Sequence, residues 1–197
     1  MESYSKSLMT KKVYDLGLEL VTSKTLKSVL GVKNDRSFFR IVQDLLDNGI
    51  LASLERDKYI VIGSKHVNSF KIANFFYQPS YLSCETALNY WGVLSQFPFD
   101  ITSVTPKKTI TKSHDNTVYS YNHINSKYFG MFTKRDDVLI ALAEKALFDQ
   151  VYLVSKGIKS AGFDEYDFKN INKKKFIDIC SQFKIGEKIL GIVKKYL

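Results

Sequence analysis

The 197-residue chain carries only three prolines, ten glycines and two cysteines. So little proline and glycine excludes collagen-like and low-complexity classes. Cys84 and Cys180 lie far apart and make neither a disulfide framework nor a zinc motif, which predicts a reducing, cytoplasmic setting. No apolar run approaches the roughly 20 residues that span a bilayer. Lys6, Lys11 and Lys12 are not followed by a clean apolar stretch, so no secretory leader is expected. No internal repeat occurs. Phosphate-cradling G-x-x-x-x-G-K-[ST] and G-x-G-x-x-G loops are missing, as is a G-x-S-x-G elbow. His66, His114 and His123 have no spacing that recurs in metal sites, and "DEYD" at 164–167 opens no calcium loop. These gaps predict no cofactor, no metal and no enzyme.

What is present is a 45% hydrophobic, 14% aromatic chain with 25% charged residues. That composition builds packed cores rather than a disordered segment. The net charge is +9. Residues 1–77 hold 12 basic against 8 acidic side chains and the remainder 17 against 12, so both parts are positive. Lysine and arginine release counterions condensed on nucleic acid, so a spread excess of this size favours polyanionic partners.

Apolar periodicity predicts a helix over residues 4–21, with Leu8, Val13, Leu16, Leu20 and Val21 on one stripe. Ser23 is placed to cap a short second helix that Gly31 stops. Asn34 or Asp35 starts a third, in which Phe38, Ile41, Val42, Leu45 and Leu46 make one buried face and Phe39 falls off it. Two β-rich runs, 50–54 and 58–62, flank the charged turn Glu55-Arg56-Asp57 as a hairpin. Helix, short helix, turn, helix, hairpin is the order of a winged helix-turn-helix. In such a module the start of the third helix enters the major groove. Lys33, Asn34, Arg36, Ser37 and Arg40 crowd that end, and Arg56 and Lys58 at the hairpin would reach the backbone. Asp44 and Asp47 further along would repel DNA, so only the first two turns are expected to approach the duplex.

A helix over 63–78 connects to the second part, and Pro79 ends it. There Ser83 is expected to cap a helix, residues 101–105 and 118–123 alternate as strands, "DDVLIA" is a further strand, and "AEKALFDQVYLVSKG" is a helix. Residues 172–197 read as two short helices. The expected fold is therefore α+β: a winged helix-turn-helix over 1–63, a connecting helix over 64–79, and a mixed α+β domain over 80–197 with a small sheet and C-terminal helices. Lys107, Lys108 and Lys112 form a second candidate basic surface beside Tyr119 and Tyr121, although the plainer reading packs that tyrosine pair against a helix. Glu144 and Asp149 point in different directions on their helix, and Lys145 and Asp149 make an ordinary surface pair worth about 0.3 kcal/mol.

The blocks "YLSCETALNYWGVL", "ITSVTPKK", "YSYNHI" and "IALAEKALFDQVYL" resemble, in this order, the C-terminal region of AbiEi-type antitoxins of type IV toxin–antitoxin and abortive-infection systems. That family also has an N-terminal winged helix-turn-helix, and the resemblance covers roughly residues 23–153. Its members usually carry a serine-proline pair where Leu142 and Ala143 stand here, which removes a helix cap and a rigid first turn. The resemblance implies a cytoplasmic DNA-binding repressor of its own operon that pairs protomers on promoter inverted repeats. It also implies an antitoxin that counteracts a nucleotidyltransferase toxin without a required stable complex. A toxin-sequestering protein-binding module and a stand-alone winged-helix regulator are the alternatives, and a nucleic-acid enzyme is a third.

Overall fold

The computed structural model describes residues 5–64 and 67–197. The expected helix start at Tyr4 and the His66 candidate lie outside the described residues. The chain divides after Asn68 into two compact units.

In the first unit, helix α1 (Lys6–Asp15) buries Met9 and Val13. It stops short of the expected residue 21. Gly17 turns the chain at φ +61°, and Leu20–Thr22 becomes strand β1. Thr22, rather than Ser23, caps α2 (Ser23–Leu30), its Oγ1 accepting from the Thr25 N–H at 3.2 Å. Asn34 caps α3 (Asp35–Asp47), its Oδ1 accepting from the Ser37 N–H at 3.0 Å. Strands β2 (Leu51–Glu55) and β3 (Lys58–Val61) form the hairpin, and β1 pairs antiparallel with β3 to complete a sheet in the order β1-β3-β2. Val13, Val21, Leu26, Leu30, Phe38, Val42 and Leu45 share one core with Leu51 and Val61. Each such side chain contributes about 1.5–3 kcal/mol on leaving water.

The second unit begins with α4 (Ser69–Phe76). This helix is shorter than the expected 64–79 connector and belongs to the second unit itself. A six-stranded mixed sheet follows, in the order β6-β7-β5-β4-β9-β8. Its strands are β4 (Tyr81–Leu82), β5 (Asp100–Thr105), β6 (Ile110–His114), β7 (Thr117–His123), β8 (Phe132–Arg135) and β9 (Val138–Ala141). The β5–β7 and β4–β9 pairs are parallel and the others antiparallel. Both rims are hairpins. Asp115-Asn116 joins β6 to β7 and Asp136-Asp137 joins β8 to β9, all four at positive φ, as tight two-residue turns demand.

Helix α4 lies on this sheet. The Tyr121 hydroxyl donates to the Ala73 carbonyl at 2.7 Å, and Phe76 meets Tyr119 edge-on at 5.1 Å. Helices α5 (Cys84–Tyr90), α7 (Lys173–Ser181) and α8 (Gly186–Val193) pack on α6 (Ala143–Ser155). Every residue of α6 from Glu144 to Leu153 is consequently buried. This overturns the surface-pair reading of Lys145 and Asp149: both side chains are fully enclosed. Among the described residues no helix is long and apolar enough to cross a membrane.

Candidate functional site

The buried stripe of α3 fixes which of its side chains meet water. Phe38, Ile41, Val42 and Leu45 face the core. Arg36 and Arg40 therefore project from the opposite face, one turn apart, and both are exposed along with Lys33. Ser37 is half-buried. Asn34 is exposed, but its oxygen is committed to the cap. A bidentate adenine contact needs the oxygen and the amide together, so capping is the role this geometry gives Asn34. Lys27 of α2 pairs with Asp35 at 2.5 Å and fastens the two helices at the start of α3. Asp44 and Asp47 sit on the exposed far half, with Asp47 taking a hydrogen bond from Gln43 at 2.8 Å.

The hairpin tip is anchored to α2. The Ser23 N–H donates to the Asp57 carbonyl at 2.9 Å, and the Ser23 hydroxyl donates to the Asp57 carboxylate at 2.9 Å. Arg56 projects from this pinned turn with its side chain 96% exposed. Lys58 is different: it is half-buried and pairs with Glu55 at 2.6 Å.

The second basic cluster is divided by the fold. Lys107 and Lys108 are exposed. Lys112 is half-buried, donates to the Phe76 carbonyl at 3.1 Å and lies 5.2 Å from the Phe76 ring centre. Tyr119 and Tyr121 are buried beneath α4, so they are core and offer no stacking platform. Lys107 lies 5.5 Å from the ring centre of Tyr77. Of the described histidines, His114 lies 3.2 Å from the Asp115 carboxylate, and His123 Nδ1 is 2.9 Å from the Lys107 carbonyl.

One polar constellation escaped the sequence. Asp149 accepts from the Tyr81 hydroxyl at 3.1 Å and from the Ser83 hydroxyl at 2.8 Å, while Lys145 donates to both Asp149 and Tyr81. Burial raises the Asp149 carboxyl above its ordinary range, an effect the neighbouring Lys145 ammonium partly offsets. Burial, reinforced by the charge of Asp149, holds Tyr81 protonated far above the usual range. Ser83 thus spends its hydroxyl on Asp149 rather than on the expected helix cap. Thr102 of β5 takes over, accepting from the Thr86 N–H at 3.0 Å and donating to the Ser83 carbonyl at 2.7 Å. Cys84 starts α5 at φ +52°, separated from β4 by Ser83 alone. Its thiol is fully buried, and burial raises its pKa, which favours the protonated form. Glu144 accepts the Asn172 N–H at 3.2 Å and so positions the start of α7. The available signal for this network was two opposite charges at i, i+4 in a helix with apolar residues on every face.

No family model matches this sequence, and no curated protein matches it.

Proposed function

We propose that this chain is a DNA-binding autorepressor and antitoxin of the AbiEi type. The first unit follows the order of a winged helix-turn-helix, α1-β1-α2-α3-β2-β3 with β1 added to the hairpin, and α3 is its recognition helix. The reading is carried by one observation: Arg36 and Arg40 stand exposed on the first turns of α3, while the same helix is anchored through Phe38, Ile41, Val42 and Leu45. Arginine is the side chain best suited to guanine edges and to phosphate. The net charge of +9 supports the same partner. Paired protomers on an inverted repeat would place two such helices in successive major grooves. The second unit serves antitoxicity, and the cytoplasm is the site of action.

A gel-shift titration on the chain's own promoter fragment tests this. The Arg36→Ala/Arg40→Ala double variant weakens binding at least about tenfold, since each good base contact is worth about 1–3 kcal/mol, and melts at the temperature of the parent. Undiminished affinity defeats the assignment. Relief of toxicity on co-expression with an adjacent nucleotidyltransferase-like reading frame tests the antitoxin half.

A further inference from the structure

The second unit also carries a cavity of about 350 Å³. At its base Glu85 accepts from Lys159 through both carboxylate oxygens, at 2.7 and 2.5 Å, and from Gln150 Nε2 at 3.0 Å. Gln150 is 1% exposed and lines the cavity, and its Oε1 has no hydrogen-bond partner. Exchanging the two ends of this amide would set its oxygen against the Glu85 carboxylate, so the open atom is an acceptor. A buried acceptor left unpaired costs about 1–3 kcal/mol. The atom itself is enclosed, so a donor recovers that cost once the Gln150 amide turns toward the cavity.

Two further properties narrow the ligand. Lys159 answers the charge of Glu85, but the same cavity is lined by Asp100 and Glu165, and neither forms an ion pair among the described residues. This is a negative hollow in a chain of net charge +9, and it repels phosphate. Beside it Phe97 and Phe99 flank Pro98 with 88% and complete exposure. Two phenyl rings held in water contribute nothing to the core. Their faces attract cations, and a planar cation stacks on them better than a compact ammonium does.

We propose that this cavity binds a guanidinium group, as carried by arginine. Its N–H donors suit Gln150 Oε1, its charge suits Asp100 and Glu165, and its flat face suits Phe97 and Phe99. The source is either free arginine or an arginine side chain of a protein partner. The proposal stands apart from DNA binding and does not depend on it.

Isothermal titration of the full chain with free arginine and with a capped Gly-Arg-Gly peptide tests it. Citrulline, which has nearly the same shape and no charge, is the control. Saturable binding of either arginine probe, with citrulline at least about tenfold weaker, supports the proposal. Tighter binding of the free amino acid identifies a small-molecule ligand, and tighter binding of the peptide identifies a protein partner. Phe99→Ala and Glu165→Gln alter exposed side chains and leave the fold intact. Each weakens binding severalfold, whereas Arg36→Ala/Arg40→Ala leaves it unchanged. Absence of saturable binding by both probes, equal binding of citrulline, or full affinity in both cavity variants overturns the proposal.

Discussion

Lys145 and Asp149 meet across one turn of α6 with neither side chain reachable by water. Tyr81 and Ser83 complete the hydrogen bonding of the carboxylate. Removing one partner strands a charge in a dry interior. Lys145→Met or Asp149→Leu alone therefore lowers stability by about 3–5 kcal/mol, and the double replacement returns a large part of it. Urea denaturation of the three variants reads this directly. Losses below 1 kcal/mol, a value about that of an exposed pair, would contradict the enclosed geometry.

Alkaline pH weakens the fold. Burial pushes the Cys180 thiol up to about 12 from its ordinary 9.0 and raises Cys84, Tyr81 and Tyr166 as well. Above the ordinary pKa of each group, the unfolded chain has released a proton that the folded chain still holds. The share of stability these four groups supply is thus complete below about pH 9 and declines as pH rises toward their folded values. Each group adds a slope of about 1.4 kcal/mol per pH unit across its window. Denaturation midpoints followed from about pH 8 to pH 11 should fall steadily.

At the hairpin, the two basic residues separate in their effects. Arg56 is 96% exposed and only loosely paired with Asp57, at 3.6 Å, so a phosphate competes for it readily, whereas the half-buried Lys58 is held by Glu55 at 2.6 Å. Arg56→Ala reduces the salt dependence of DNA binding by about one counterion with no change in melting. Lys58→Ala leaves that slope close to the parent. A filter-binding series over ionic strength distinguishes them.

The start of α8 tolerates no side chain. A Cβ on Gly186 would lie 1.9 Å from the Cys180 carbonyl oxygen, while one on Gly191 in the same helix meets nothing within 4 Å. Gly186→Ala displaces α8 from α7 and costs upwards of about 3 kcal/mol. Gly191→Ala is neutral or stabilising by up to about 1 kcal/mol. Thermal melts of the pair give the comparison.

Much of α3 was legible because its causes are local: the Asn34 cap and an apolar period that Phe39, 57% exposed, correctly breaks. Strand β1 was not legible. Leu20 and Val21 continue the stripe of α1, and they form a strand only because β3 offers hydrogen bonds from some forty residues away. Strand β8, "FTKR", has one clear local sign, the Asp136-Asp137 turn, and acquires its identity by pairing with β9. The spacing of Lys145 and Asp149 was read correctly and their surroundings were not, because α5, α7 and α8 supply the cover. The guanidinium cavity brings together residues 85–166, so no short window could announce it. Arg36, Arg40 and Arg56 stand where the pattern placed them, whereas Lys58 and Lys112 were drawn inward by Glu55 and Phe76.

The six-stranded sheet terminates at β6 and β8. Lys134 and Arg135, both exposed, lie in the second. Cationic side chains on a bare margin discourage a neighbouring backbone from docking alongside. The β8 margin thereby resists strand-by-strand addition of another chain.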